Sequence, residues 1–132
     1  MNYWLLKTEP DTYSWDDLVR DKRGVWDGVR NFQARRNLKA MAKGDVALIY
    51  HTGDEKAVIG LALVTKGPYP EPKDPAWIAV NLEPDKPLKN PVTLAVIRKD
   101  KALSGMVLVK VSRLSVQPVR KEEFKRIIEL SK

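Results

Sequence analysis

The chain contains no cysteine and only one histidine, His51. Without cysteine it can form neither a disulfide nor a thiolate metal site, and it has no cysteine nucleophile. A histidine-based metal centre or a Ser–His–Asp triad would depend on His51 alone. The glycine-rich, H-E-x-x-H and G-x-S-x-G motifs of nucleotide-binding and hydrolytic enzymes are also missing. We therefore expect no bound metal ion, no cofactor and no catalytic residue.

Long apolar segments are missing as well. No stretch approaches the roughly 20 residues that a helix needs to cross a bilayer. The opening segment MNYWLLKTEPD holds an apolar run of only four residues and is soon followed by acids, unlike a signal or transit peptide. We expect a soluble, intracellular protein of the cytoplasm that makes no use of membranes.

Positive charge, by contrast, is abundant and concentrated. The chain has 132 residues, typical of one domain spanning residues 1–132, and 24 Lys and Arg against 17 Asp and Glu give it a net charge of +7. Between Arg20 and Lys39 seven basic residues stand against two acids. Such a distribution attracts polyanions and favours DNA or RNA as the partner.

Apolar periodicity and turn residues predict many short strands, a helical insertion after the first strand and a terminal helix. The predicted strands are 3–7, 46–50, 58–64, 77–82, 106–111 and 114–119. The predicted helices are 15–20, a helix from an Asn31 N-cap through Ala42 to a Gly44 stop, 91–98 and 121–130. Loops are predicted at 24–28, 67–75 and 84–91. This order favours an α+β fold built on a small, mixed or mostly antiparallel β-barrel with flanking helices.

The four tryptophans differ in their sequence surroundings. Trp4 lies on a strand and Trp15 on a helix, so both are predicted to be in the core. Trp26 stands in a glycine-bounded loop next to Asp27, and Trp77 follows a proline-rich segment. Either ring is a candidate platform on which a nucleobase stacks, and burial in the core is the alternative for both.

Polar residues near these tryptophans are open to two interpretations. Asn31 is a good N-cap, and capping leaves its amide hydrogens free for a ligand. His51 ends a buried strand beside Tyr50, where it is either structural or hydrogen-bonded to a base edge. Glu9 and Asp27 could form the carboxylate pair of a hydrolase. Three further cations, Arg35, Arg36 and Lys39, cannot lie on the apolar helix face and are predicted to point to solvent.

Four segments of the chain, in order, resemble the EVE domain family. They are YWLLKTEP at 3–10, WDGVRN at 26–31, Gly44-Asp45 leading to Tyr50-His51, and RLSVQP at 113–118. The resemblance covers essentially the whole chain, and WDGVRN together with LSVQP is specific. EVE domains have a PUA-like fold and are related to YTH domains, which hold N6-methyladenosine in an aromatic cage.

This resemblance implies roles for individual residues. Trp26 matches a cage tryptophan, Trp77 lies near the second, Glu9 and Asp27 fall where polar groups read the base edge, and Lys7 matches a phosphate-contacting lysine. The predicted base pocket comprises Thr8, Glu9, Trp26, Asp27, Asn31, Tyr50, His51, Trp77 and Ser115. The predicted phosphate-binding residues are Lys7, Arg30, Arg35, Arg36, Lys39 and Arg113.

Together these observations predict a non-catalytic module that binds DNA or RNA carrying a flipped, modified base. The resemblance implies 5-methylcytosine and 5-hydroxymethylcytosine among the bases bound, because carboxylates at the base edge would accept a hydrogen bond from the cytosine amine. One alternative is an enzyme on modified nucleotides, with Asp27 or Glu9 as base and His51 as acid. A protein-interaction module is the other.

Overall fold

A computed structural model describes every residue from Met1 to Lys132. Its six strands are β1 (Tyr3–Thr8), β2 (Gly24–Trp26), β3 (Val46–His51), β4 (Ala57–Pro70), β5 (Ile78–Thr93) and β6 (Val116–Val119). Its helices are α1 (Trp15–Asp21), α2 (Phe32–Lys39), α3 (Leu94–Lys99), α4 (Val107–Lys110) and α5 (Lys121–Leu130), with a short 3-10 turn at Lys101–Leu103. The predicted α+β class is confirmed. No helix combines the length and the apolar character needed to cross a membrane.

The six strands form one mixed sheet in the order β2-β5-β4-β3-β1-β6. Only β1 and β3 run parallel, and all other neighbours are antiparallel. The sheet does not close, because β2 and β6 are edge strands that do not pair with each other. Helix α2 spans the gap between the edge strand β6 and the start of β5, the neighbour of the edge strand β2. The Asn37 side chain donates to the carbonyl of Val116 on β6 at 2.7 Å, and Arg35 donates to the carbonyl of Ala76, just before β5, at 2.8 Å.

Each face of the sheet carries its own apolar core. Alternate residues of a strand point to opposite faces, so Trp4 and Leu6 pack with α1 and α2, whereas Leu5 packs with α3, α4 and α5. Trp4 and Trp15 are 6% and 4% exposed, as predicted for core residues. The first core lies directly beneath the candidate site described below.

Local start signals account for several helices. Ser14 and Asp17 form the predicted capping box of α1. The Asn31 side chain accepts from the Ala34 N–H at 2.9 Å, as predicted for an N-cap. Helix α2 ends at Lys39, however, earlier than predicted, because the Ala42 N–H donates to the Asp45 carboxylate at 2.9 Å and not to a helix carbonyl.

Four segments predicted from the sequence differ from the structure. The predicted strand 106–111 contains α4, since a short apolar run suits a buried helical turn as well as a strand. The predicted loop 24–28 contains the three-residue strand β2, whose residues alternate between the buried and exposed sides. The predicted connector 84–91 lies entirely within β5, and residues 67–70 of the predicted loop 67–75 belong to β4, whereas residues 71–75 lie in the connection between the two strands.

The prolines of the β4–β5 hairpin explain why the sequence predicts shorter strands than the structure contains. Strand β3 pairs only with residues 57–63 of β4, and β2 pairs only with residues 80–82 of β5. All five prolines within β4 and β5 lie outside these stretches, where each strand has a single neighbour and a missing N–H is tolerated. Four register shifts between the two strands accommodate the remaining irregularity.

Candidate nucleic-acid interface

A cavity of about 590 Å³ opens between the end of β1, the segment leading into α1, and β2 with the turn that follows it. Seven residues predicted from the sequence line it: Lys7, Thr8, Glu9, Trp26, Asp27, Arg30 and Ser115. Thr12, Tyr13 and Arg23 also line it and were missed by the sequence analysis. A space of this size suits a small organic group such as a nucleobase.

Two hydrogen bonds hold other segments of the chain against the end of β1, where the lining residues lie. The Lys7 N–H donates to the Ser115 carbonyl at 2.9 Å, which brings the segment before β6 against β1. The Thr8 hydroxyl donates to the Tyr13 carbonyl at 2.5 Å and fixes the segment between β1 and α1. These contacts place polar atoms from distant parts of the chain around one opening.

Tyr13 forms an aromatic wall of the cavity. Its ring meets that of Trp26 edge to face, with centroids 6.2 Å apart, and its hydroxyl donates to Asp21 at 3.0 Å. Burial, together with the neighbouring Asp21 carboxylate, raises the pKa of Tyr13 to about 12. Tyr13 therefore stays neutral at physiological pH.

Trp26 is both a core residue and a cavity residue. Its side chain is 9% exposed and belongs to the core beneath the cavity, and its backbone pairs with Val80. The neighbouring Gly24 leaves room for this arrangement, because a Cβ there would lie 2.8 Å from Leu18 and 3.3 Å from the Tyr13 hydroxyl. The sequence leaves two interpretations of Trp26 open, a stacking platform and a core residue, and this one side chain is compatible with both.

The turn after β2 is organised by Glu71, a residue that the sequence analysis missed. Gly28 adopts a positive φ of 75° and donates its N–H to the Glu71 carboxylate at 3.1 Å. Arg30 binds the same carboxylate through two nitrogens, at 2.8 and 2.9 Å. Glu71 is 5% exposed, although it lies among prolines that predict a surface loop. The Arg30 guanidinium holds the pKa of Glu71 below its usual value.

The lowered pKa of Glu71 predicts a pH-dependent contribution to stability. Below its usual value of 4.5, the unfolded carboxyl gains a proton before the folded one, so acid favours unfolding. The difference in free energy of unfolding between the parent and Glu71→Gln should have its full value at neutral pH and shrink as the pH falls below 4.5. Thermal melting across this range, with the exposed Asp85→Asn as control, measures it. A difference that does not change with pH would contradict the ion pair's role.

The two predicted base-edge carboxylates have different surroundings. Glu9 is exposed and accepts a hydrogen bond from the Thr52 hydroxyl at 2.9 Å. Asp27 is exposed too, but it has neither a hydrogen-bond partner nor an ion pair in the chain. Its carboxylate is therefore free to accept a hydrogen bond from a ligand.

Lys7 stands between this cavity and a second one of about 680 Å³, which also contains Tyr50 and Arg98. Its ammonium donates to the Ser112 carbonyl and lies 5.7 Å from the centre of the Tyr50 ring. Burial lowers the pKa of Lys7. Tyr50 itself lines only the second cavity and packs in the core on the opposite face of the sheet, so the structure does not place it with Trp26.

His51 lies outside both cavities. Its Nε2 accepts the backbone N–H of Trp15 at 3.0 Å, and its Nδ1 lies 2.9 Å from a carboxylate oxygen of Glu55. Because Nε2 is an acceptor, the ring hydrogen must reside on Nδ1, where it donates to Glu55. The histidine thus satisfies the first N–H of α1.

The remaining predicted residues lie outside the first cavity. Trp77 stacks on Phe32, with centroids 5.4 Å apart, and Arg35 packs beside both rings. The side-chain oxygen of Asn31 is engaged as the α2 N-cap. The other predicted phosphate-binding residues are exposed and form no ion pair: Arg36, Lys39 and Arg113.

The family model described as the EVE domain matches residues 2–130. The chain belongs to the EVE domain family. Mouse thymocyte nuclear protein 1 is 32% identical to this EVE chain over 98% of it and 73% of the mouse protein.

Two solved structures share its fold. A Rhodopseudomonas palustris protein is 41% identical, with a TM-score of 0.95 over 99% of this chain and 93% of that one. The human THYN1 protein, solved in complex with DNA containing 5-methylcytosine, is 30% identical with a TM-score of 0.92 over 100% of this chain and 98% of that one.

Proposed function

We propose that this EVE chain is a non-catalytic nucleic-acid-binding module whose cavity receives one modified base, such as 5-methylcytosine, flipped out of its strand. The observation that carries the proposal is the pairing of Trp26 with Asp27 in one cavity. A flat aromatic ring there adjoins a carboxylate that has no partner within the chain. A stacking surface and a hydrogen-bond acceptor are what a flipped cytosine requires.

The chemistry of the cavity favours a cytosine derivative over uracil. Cytosine presents an exocyclic amine that donates to carboxylates, whereas uracil presents a carbonyl at the same position. Asp27 accepts that amine in our proposal, and Trp26 offers a π-face worth about 1–3 kcal/mol for a stacked base. The human relative solved with 5-methylcytosine DNA supports testing that base first.

Cations at the rim suit the phosphates on either side of a flipped nucleotide. Lys7, Arg23 and Arg30 line the cavity together with its carboxylates. The unpaired Arg36 and Lys39 continue the basic surface along α2. Because phosphate contacts do not depend on the sugar, RNA with the same modified base is a second ligand to test.

The surroundings of His51 support a reader over the enzyme alternative. That alternative needs His51 as the acid opposite Asp27 or Glu9. Both nitrogens of His51 are engaged, one by the Trp15 N–H and the other by Glu55, and the ring is 6% exposed. The cavity carboxylates therefore lack the partner that this acid–base scheme requires.

A binding experiment tests the role of Asp27. The parent is expected to bind a short single-stranded DNA with one 5-methylcytosine more tightly than the unmethylated strand, measured by fluorescence anisotropy. Asp27→Ala should weaken binding of the methylated strand about tenfold, because a good polar contact to a base edge is worth about 1–3 kcal/mol. The matched control Asp85→Ala removes an exposed carboxylate that does not line the cavity.

Two outcomes would contradict the proposal. If the parent binds methylated and unmethylated strands with equal affinity, the proposed recognition of a modified base is contradicted. A mass change in the oligonucleotide after incubation with the parent, with or without a divalent metal ion, would favour the enzyme alternative.

A further inference from the structure

The exposed Phe32 and the half-buried Trp77 form an aromatic pair beside the cavity, here called the aromatic ledge. Phe32 is the first residue of α2, and 67% of it is exposed. The two rings are nearly parallel, with an interplanar angle of 22° and centroids 5.4 Å apart. An aromatic ring that is held in place and yet open to solvent offers a π-face to a ligand.

Two arginines hold the ledge in place. Arg35 donates to the Ala76 carbonyl at 2.8 Å, and its guanidinium carbon lies 5.0 Å from the Phe32 ring centre and 5.3 Å from that of Trp77. Arg30, anchored by the buried Glu71, lies 5.2 Å from the Trp77 ring centre. The rings are thus ordered before any ligand arrives, so little further ordering is needed on binding.

The ledge adjoins the cavity through Arg30, which lines the cavity and packs on Trp77. Two basic residues further along α2, Arg36 and Lys39, are exposed and form no ion pair. An aromatic surface set among free cations complements a nucleic-acid strand, whose bases stack while its phosphates meet the cations.

We propose that the aromatic ledge stacks the base adjacent to the one captured in the cavity. This inference rests on the proposed function and adds a second contact to it. Stacking requires only a flat π-face, so the ledge tolerates any neighbouring base. It therefore contributes affinity for a strand, whereas the cavity selects the modification.

Phe32→Ala and an abasic neighbour test this contact together. Phe32→Ala should weaken binding of the methylated strand about tenfold and leave the preference for methylated over unmethylated DNA unchanged. An abasic site on the ledge side of the 5-methylcytosine should lower the affinity of the parent for the strand by a similar factor. It should hardly change the affinity of Phe32→Ala. Strands with the abasic site on either side identify that side.

Control variants separate stacking from other effects. Phe32→Tyr keeps the ring and should bind like the parent, whereas Phe32→Leu keeps an apolar side chain without a ring and should bind like Phe32→Ala. Val96→Ala shortens another exposed apolar residue, 44% exposed and on α3, and should have no effect. Thermal melting of all four variants should match the parent, because Phe32 and Val96 are exposed.

Each contrary result contradicts either the ledge proposal alone or the proposed function as well. If Phe32→Ala binds like the parent while the parent still prefers the methylated strand, the ledge is overturned and the proposed function stands. If the abasic site lowers the affinity of Phe32→Ala as much as that of the parent, the proposed stacking on Phe32 is wrong. If the parent binds no strand at all, the ledge and the proposed function are both overturned.

Discussion

Replacing Trp26 with alanine is expected to lower the free energy of unfolding by about 3–5 kcal/mol, the usual cost of removing a buried tryptophan. The ring is 9% exposed, belongs to the core that includes Leu18 and Leu82, and meets Tyr13 edge to face. Because a domain of this size has only about 5–15 kcal/mol of stability, the variant should lie near the limit of folding. Urea denaturation of parent and variant measures the difference.

Trp26→Phe is the matched variant, because it retains an aromatic ring and most of the packing. Its stability should fall less than that of Trp26→Ala, so its binding can be measured on folded protein. If Trp26 stacks on the captured base, the methylated strand should quench tryptophan emission in the parent and quench it less in Trp26→Phe. A melting temperature of Trp26→Ala equal to that of the parent would contradict a core role.

Asp45→Ala is expected to cost about 3 kcal/mol, because it removes the shared acceptor of three N–H groups. The Asn2 N–H donates to the Asp45 carboxylate at 3.0 Å, and the Trp4 indole and the Ala42 N–H each donate at 2.9 Å. Asp45 is 3% exposed, so water cannot readily replace it. Burial opposes its ionisation, but these hydrogen bonds prevail and hold the pKa of Asp45 below its usual value.

Chemical denaturation at neutral pH measures this loss against Asp85→Ala, which removes an exposed aspartate without such partners. Asp45→Asn, which keeps one carbonyl acceptor, should fall between parent and Asp45→Ala. A stability for Asp45→Ala equal to that of the control would show that the three donors find other partners.

Elements with local signals could be predicted from the sequence. The bounds of α5 agree with the prediction, and α1 begins where its capping box requires. The Thr93 side chain likewise caps the predicted short helix α3. In each case the deciding contacts lie within one turn of the element itself, so a short stretch of sequence contains them.

Long-range contacts explain the elements that could not be predicted. Prolines end a strand in most settings, and only the sheet order reveals that those of β4 and β5 lie where each strand has a single neighbour. The burial of Glu71 depends on Arg30, which is distant in sequence. No local sequence pattern predicts that an acid in a proline-rich segment is buried and binds the turn after β2, which is distant in sequence.

The candidate site shows the same division. The motifs at 3–10 and 26–31 contain six of the predicted residues that line the cavity, because both segments adjoin it directly. Tyr13 and Arg23 line it through the path of α1, which no motif describes. Tyr50 and His51 are the last residues of the correctly predicted strand β3, yet the strand's direction carries them to the second cavity and to the start of α1.

The position of β1 in the sheet bears on how the chain folds. One edge of β1 pairs with β3, but the other pairs with β6, so that Tyr3 meets Val119. During synthesis this second edge must stay open until β6 has left the ribosome, with the apolar Leu5 and Leu6 beside it. An open, apolar strand edge invites pairing with other chains. Pairing between such distant segments also slows folding, so this topology should affect refolding rate and yield more than the stability of the finished fold.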